Sequence, residues 1–301
     1  MQTIRVSNDK SRLHYEFSTA TAPVVTANPG DTIIYECVDA YCNQIRDEHT
    51  LFSAVDRKLG NPATGPVYVN GAEIGDVLKV SIVKIVPAAT AVMTARPDTG
   101  LYGELIPEYR SKIIPIRDNE AYFTEDIVIG LNPMIGVIGT APKSPLPSTW
   151  PGEHGGNLDC KDLTVGSSIY LPVNVEGALL SMGDLHGVQG DGETVICALE
   201  MDGEVTVTVE VLKQRTDIPT PFIVTPTHYL TLAAAKSLDE AGKAAAFKMH
   251  EFLLSHTNLC IQVVAMLLSL QGNLRIAQVV NPLVGCYMEF PRGLINEKVR
   301  L

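Results

Sequence analysis

Glu204-Val-Thr-Val-Thr-Val-Glu-Val-Leu212 is the stretch that decides the fold class of this chain. Val205, Val207, Val209 and Val211 fall on one face of an extended segment, and Thr206, Thr208 and Glu210 fall on the other. Alternation with period two belongs to a strand with one buried face. Val77–Val86 reads the same way, with Leu78, Val80 and Ile82 set against Lys79 and Ser81. Turn formers precede each run: Asn28-Pro29-Gly30-Asp31 before Thr32–Cys37, Gly75-Asp76 before Val77, Gly166-Ser167 before Ser168–Val175, and Asp202-Gly203 before Glu204. Many strands separated by such turns predict a mainly β fold, sandwich- or barrel-like.

One late region departs from this grammar. Between Thr231 and Ser255, Leu238, Ala241, Ala245, Met249 and Phe252 step by threes and fours, which predicts an amphipathic helix. Leu259, Val263, Met266, Leu267 and Leu270 continue the spacing in a second helix, with Thr257 or Asn258 as its cap and Gly272 as its stop. Leu274–Val280 then reads as a strand that Pro282 ends. The expectation is a β-rich domain over residues 1–220 that carries the functional site, with a C-terminal α/β layer over residues 221–301 packed on it.

The chain has 301 residues, with 46% hydrophobic and 19% charged, so most of it should fold. Lys and Arg number 23 against 34 Asp and Glu, a net charge of −11, which argues against nucleic acid and anionic membrane surfaces. No run of about 18 apolar residues occurs to span a bilayer, and Met1-Gln-Thr-Ile-Arg-Val-Ser7 has no apolar signal core. The six cysteines form no CxxC pair and read as reduced thiols of a cytoplasmic protein. Cys160 has no evident partner base, and no phosphate loop, dinucleotide fingerprint or Gly-x-Ser-x-Gly elbow appears. Metal-assisted chemistry is therefore expected ahead of a protein nucleophile.

The chemistry-bearing residues gather between 152 and 193. Asp184 and His186 are two apart; on an extended strand both point the same way and can offer a carboxylate and an imidazole to one ion. The plainer alternative is a polar pair at a strand end. Asp159 follows Gly155-Gly156-Asn157-Leu158 and is either a further ligand or the cap of a local turn. Glu193 closes Gly190-Asp191-Gly192-Glu193, a hairpin signal that can also place a general base. His154, in a glycine-rich loop, binds metal, orients substrate or is simply exposed. Lys161 pairs with a carboxylate, polarises a carbonyl or is solvated.

Longer blocks run through the same region: Gly-Gly-Asn-Leu-Asp-Cys-Lys (155–161), Gly-Asp-Leu-His-Gly-Val-Gln-Gly-Asp-Gly-Glu (183–193), Asn-Pro-Ala-Thr-Gly-Pro-Val-Tyr-Val-Asn-Gly-Ala (61–72) and the spacer 166–178. In this order the chain resembles the acetamidase/formamidase family from about Thr21 to Pro291. The resemblance implies hydrolysis of small linear amides such as formamide and acetamide to carboxylate and ammonia, on a β-rich fold, by a cytosolic homodimer or higher homo-oligomer. It implies a divalent metal, zinc ahead of calcium, held by Asp159, Asp184 and His186. Glu193 would be the proton-transfer residue, with Lys161 or backbone N–H groups steadying the oxyanion and His154 a further catalytic candidate. The family's Gly-Asp-Leu-Arg is Gly272-Asn273-Leu274-Arg275 here, an amide in place of an acid. Two rival readings are a hydrolase of another C–N bond and a non-catalytic metal- or ligand-binding β protein.

Overall fold

The alternating valines lie in the middle of the molecule. In the computed structural model, which describes residues 1–295, 299 and 301, Glu200–Leu212 pairs antiparallel with Val77–Ala95 along one edge and with Thr32–Cys37 along the other. Val205, Val207 and Val209 are fully buried, while Thr206 and Thr208 are half-exposed. The mainly β reading therefore holds: a large curled sheet wraps the main core, whose buried positions include Ile33, Tyr35, Val67, Leu78, Val80, Ile135 and Leu180.

A second central strand, Leu180–His186, is buried along its whole length. Met134–Gly139 pairs with it on one side and Ala63–Val69 on the other. Its last two residues meet the first residues of the valine strand, Leu185 opposite Met201 and His186 opposite Glu200. That register sets a glutamate beside a histidine in the sheet interior.

The helical layer is present, with four differences from its sequence reading. The first helix spans Leu238–His256 rather than starting near Thr231; residues 228–235 form a strand paired with Val284–Pro291. Ser237 caps this helix, its hydroxyl accepting from the Glu240 N–H, and Asp239 and Glu240 place negative charge in its first turn. Ala241, Ala245, Met249 and Phe252 face the core as expected, with Phe252 packed on Phe222 and Tyr229, but Leu238 is exposed. The second helix, Ile261–Gln271, takes Cys260 as its N-cap residue instead of Thr257 or Asn258. It buries Val264 and Leu268 and leaves Val263, Met266 and Leu270 outside. The strand Asn273–Gln278 follows Gly272. Among the described residues no helix is long and apolar enough to cross a membrane, and all six cysteines are free.

Candidate metal centre and pocket

Three of the sequence candidates converge with Glu193 and with one residue that sequence reasoning missed. Asp159, Asp184, His186, Glu193 and Glu200 are all buried. The ligand atoms of Asp159, His186 and Glu193 lie within 4.8 Å of one another, as do those of Asp184, His186 and Glu200. His186 Nε2 is 3.3 Å from a Glu200 oxygen, 3.5 Å from Asp184 Oδ1 and 4.0 Å from Asp159 Oδ1.

Backbone geometry explains how the chain delivers these groups. Asp184 and His186 do reach one place, but Asp184 is not plainly extended: its φ is 54°. The partner strand accommodates it at Gly136, where a Cβ would stand 2.7 Å from Asp159 Oδ1 and 3.0 Å from Asp184 Oδ2. Only glycine leaves room for both carboxylates there. Asp159 also takes a left-handed conformation, φ 43°, and accepts no local turn bond through its side chain; its Oδ2 accepts from Asn281 Nδ2 at 2.7 Å. Asp184 Oδ2 accepts from Asn61 Nδ2 at 2.8 Å. Each aspartate thus has one oxygen held by an asparagine and the other turned toward the histidine. Glu193 is not carried by a tight hairpin. Residues 187–199 form a loop between the two central strands, in which Glu193 has φ 45° and its N–H donates to the Gly190 carbonyl.

Gln189, also missed from sequence, sets the histidine tautomer. Its Nε2 donates to the carbonyls of Asp159 at 2.7 Å and Ala277 at 3.3 Å, so its Oε1 accepts from His186 Nδ1 at 2.8 Å. Nδ1 carries that hydrogen, and Nε2 faces the acids. This is the outer hydrogen bond that metal-bound histidines make.

Asp159 Oδ1, Asp184 Oδ1, His186 Nε2, Glu193 Oε2 and Glu200 Oε2 are buried without a hydrogen-bond partner. Leaving such groups unsatisfied is costly, and their charges disturb one another. Burial pushes the Asp159 carboxyl up to about 6, with the Asp184 charge acting the same way. Asp184 is likewise pushed up to about 6 by burial and by Glu200, and Glu193 is driven well above the usual carboxylate range by burial and by Asp159. Burial alone would lower His186, but Glu200 and Asp184 raise it well above a free imidazole. Four acids and an imidazole with unsatisfied atoms turned together are the donor set that a divalent cation would satisfy.

The structure sets the remaining two candidates apart from this group. Lys161 Nζ is 2.9 Å from Asp191, in an ion chain that continues through Arg275 to Glu289. His154 is buried against Phe17 with ring centroids 5.2 Å apart, and neither ring nitrogen has a partner. Burial lowers its pKa to about 4, so it is neutral. Cys160 is fully buried and its thiol is pushed up, far from a reactive thiolate.

A cavity of about 330 Å³ opens beside the cluster, with Asp184, Glu193 and Glu200 in its lining. Tyr41, Gln44, Phe52, Val55, Arg57 and Arg96 form another part of its wall. Gln44 braces that wall, donating to the carbonyls of Tyr41 and Asp56 and accepting from the Asp56 N–H.

The chain matches the model of the acetamidase/formamidase family over residues 2–152 and 149–272. It belongs to that family. Similar solved structures include the acetamidase of Bacillus halodurans, 40% identical, with a TM-score of 0.96 over 99% of this chain and 100% of that one. An acetamidase from Yersinia enterocolitica is 27% identical, with a TM-score of 0.91 over 97% of this chain and 93% of that one. The formamidase of Methylophilus methylotrophus is 26% identical over 84% of this chain and 78% of its own length.

The site of this family member also accounts for the amide at position 273. Asn273 Nδ2 donates to Glu289 Oε1 at 3.2 Å, and Arg275 binds the other Glu289 oxygen at 3.1 Å. An aspartate at 273 would face Glu289 with like charge. Asn61, Gln189, Glu200 and Asn281 were the residues missed. Asn61 opens the block at 61–72, and Glu200 is a lone acid at the end of the run Val195-Ile-Cys-Ala-Leu; these were the available signals. Asn281 carried only an Asn-Pro turn signal, and Gln189 stood inside the block 183–193, three residues after His186.

Proposed function

We propose that this protein hydrolyses small linear amides, of the formamide and acetamide kind, to carboxylate and ammonia, and that the reaction depends on a divalent cation held by Asp159, Asp184 and His186 with Glu200 beside them. The observation that carries this reading is the set of five buried, partnerless atoms, three of whose residues, Asp184, Glu193 and Glu200, line a cavity in a member of an amidase family. His186 Nε2 favours zinc over calcium, because calcium takes oxygen ligands and zinc readily accepts imidazole. Such an ion supplies a water acidified toward neutral pH and a Lewis acid for the amide carbonyl.

The chain's own residues do the rest. Asn61 and Asn281 hold the two aspartates in one orientation, and Gln189 keeps His186 Nε2 turned inward. Glu193 takes a proton from the attacking water and returns it to the departing nitrogen. Lys161 acts at one remove, anchoring Asp191 and with it the loop that carries Glu193. His154 packs behind the glycines at 139, 152 and 156 and holds the backbone that leads to Asp159. A cytosolic setting suits the six free thiols. Exposed Ile261, Met266, Leu270 and Leu274 offer an apolar face to a second copy, which sedimentation mass would test.

The test is ammonia release from formamide and acetamide by protein as purified, after chelation, and after zinc return. Turnover that chelation abolishes and zinc restores supports the proposal. Full turnover by rigorously metal-free protein would overturn the metal dependence, and no ammonia from either amide with metal bound would overturn the substrate assignment.

A further inference from the structure

The cavity is larger than the smallest amides need. About 330 Å³ holds on the order of ten waters at roughly 30 Å³ each. Formamide or acetamide, which extend no more than a methyl group beyond the amide, would leave most of it wet. Besides the acids Asp184, Glu193 and Glu200, the lining holds the apolar Phe52, Val55 and Pro282 and two cations, Arg57 and Arg96.

Arg96 is built in rather than loosely exposed. Its Nε donates to Thr99 Oγ1 at 3.0 Å, and its guanidinium carbon lies 4.2 Å from the centre of the Phe52 ring. These two contacts fix the plane of the fork. Among the described residues its terminal nitrogens make no hydrogen bond, and no carboxylate lies within ion-pair distance of either Arg96 or Arg57. Burial lowers the Arg96 pKa, and the neighbouring Arg57 charge acts the same way. Asp56, the acid nearest in sequence on that wall, is engaged as a cap, accepting from the Lys58 N–H at 3.0 Å. A partly desolvated, oriented guanidinium with open terminal donors matches a planar carboxylate, which it can bind through two parallel hydrogen bonds.

We propose that the preferred substrate is a linear monoamide of a dicarboxylic acid, with its amide beside Asp184, Glu193 and Glu200 and its free carboxylate on Arg96, Arg57 adding positive charge in the same cavity. This rests on the amide hydrolysis proposed above and names the substrate class for the same site. Water adds its oxygen to the amide carbon, the C–N bond breaks, and the nitrogen leaves as ammonia with the proton that Glu193 returns; the product is a dicarboxylate.

The experiment compares kcat/KM for ammonia release from succinamate and glutaramate with that from the neutral amides of matching length, butyramide and valeramide. Wild type, Arg96→Ala and Arg96→Lys are measured at low and high salt, with calorimetric binding of succinamate and butyramide alongside. The wild type should prefer the charged member by about tenfold or more, as expected for a bidentate charged pair. The preference should shrink in salt, fall to near unity in Arg96→Ala, and recover only partly in Arg96→Lys, which keeps the charge but loses the fork. Hydrolysis of the neutral amides with no charged preference in the wild type, or equal losses on both in the variants, overturns the inference and leaves the amidase reading standing. Arg96-dependent binding of succinamate without ammonia release upholds the carboxylate site and overturns the amidase reading. Absence of both binding and hydrolysis of succinamate overturns the inference.

Discussion

His186 and His154 are both buried, both framed by glycines, and stand 32 residues apart in the same glycine-rich run of sequence, yet their surroundings give them opposite chemistry. His186 has one nitrogen tied to Gln189 and the other turned to carboxylates, which raise its pKa. His154 lies on Phe17 with neither nitrogen partnered, and burial drives its pKa down to about 4. Burial alone therefore does not set a histidine's charge. What separates the two is the sheet register, which sets Glu200 opposite His186 and no acid beside His154.

Four predictions sharpen or break this contrast. His186→Ala should have the largest effect, taking amide turnover to background while a circular dichroism melt still shows a cooperative fold; turnover near wild type would erase the distinction between the histidines. Glu193→Gln should lower kcat by about 10²- to 10⁴-fold, the range for a positioned proton-transfer group, measured by ammonia release at saturating acetamide. Gln189→Ala frees His186 Nδ1 and should cost about 10- to 100-fold in metal affinity or activity, as loss of a histidine's outer hydrogen bond does, read by zinc competition with a chromogenic chelator.

The smallest effect on turnover belongs to His154→Leu, whose consequence is for stability rather than chemistry. The folded pKa of His154, about 4, lies below the unfolded value of about 6.5. As pH falls, the unfolded chain takes up that proton first, so His154 costs the fold stability progressively from about pH 6.5 down to about pH 4. The variant should lose less stability than wild type over that window, by about 3 kcal/mol at its acid end. Urea midpoints at pH 7 and pH 4 give the difference, which isolates this residue from other titrating groups such as Asp39. An equal acid loss in both proteins would mean that His154 has a polar partner when folded.

The strand class was legible because alternation along Glu204–Leu212 is a local property that survives into the structure. The start of the first helix was misread because Thr231–Ala235 is rich in small residues that suit either element, and pairing with Val284–Pro291 decided for strand. The face of the second helix was misplaced for a similar reason: an almost wholly apolar segment has little periodicity to read. At the site, Asp184 and His186 were reachable by their spacing, though the left-handed turn at Asp184 and the gap at Gly136 were not. Asn61, Glu200 and Asn281 come from other segments, while Gln189 lies only three residues beyond His186. Their meeting depends on which strands pair and in what register, and a linear pattern does not carry that information.

The central claim is that His186 and the acids around it hold one divalent cation on which turnover depends. Elemental mass spectrometry of protein purified without chelator, for wild type and for His186→Ala, tests it most directly. The account predicts about one divalent ion per chain in the wild type, lost in the folded variant together with activity. An active wild type without stoichiometric metal, or a variant that keeps the full complement, would contradict it.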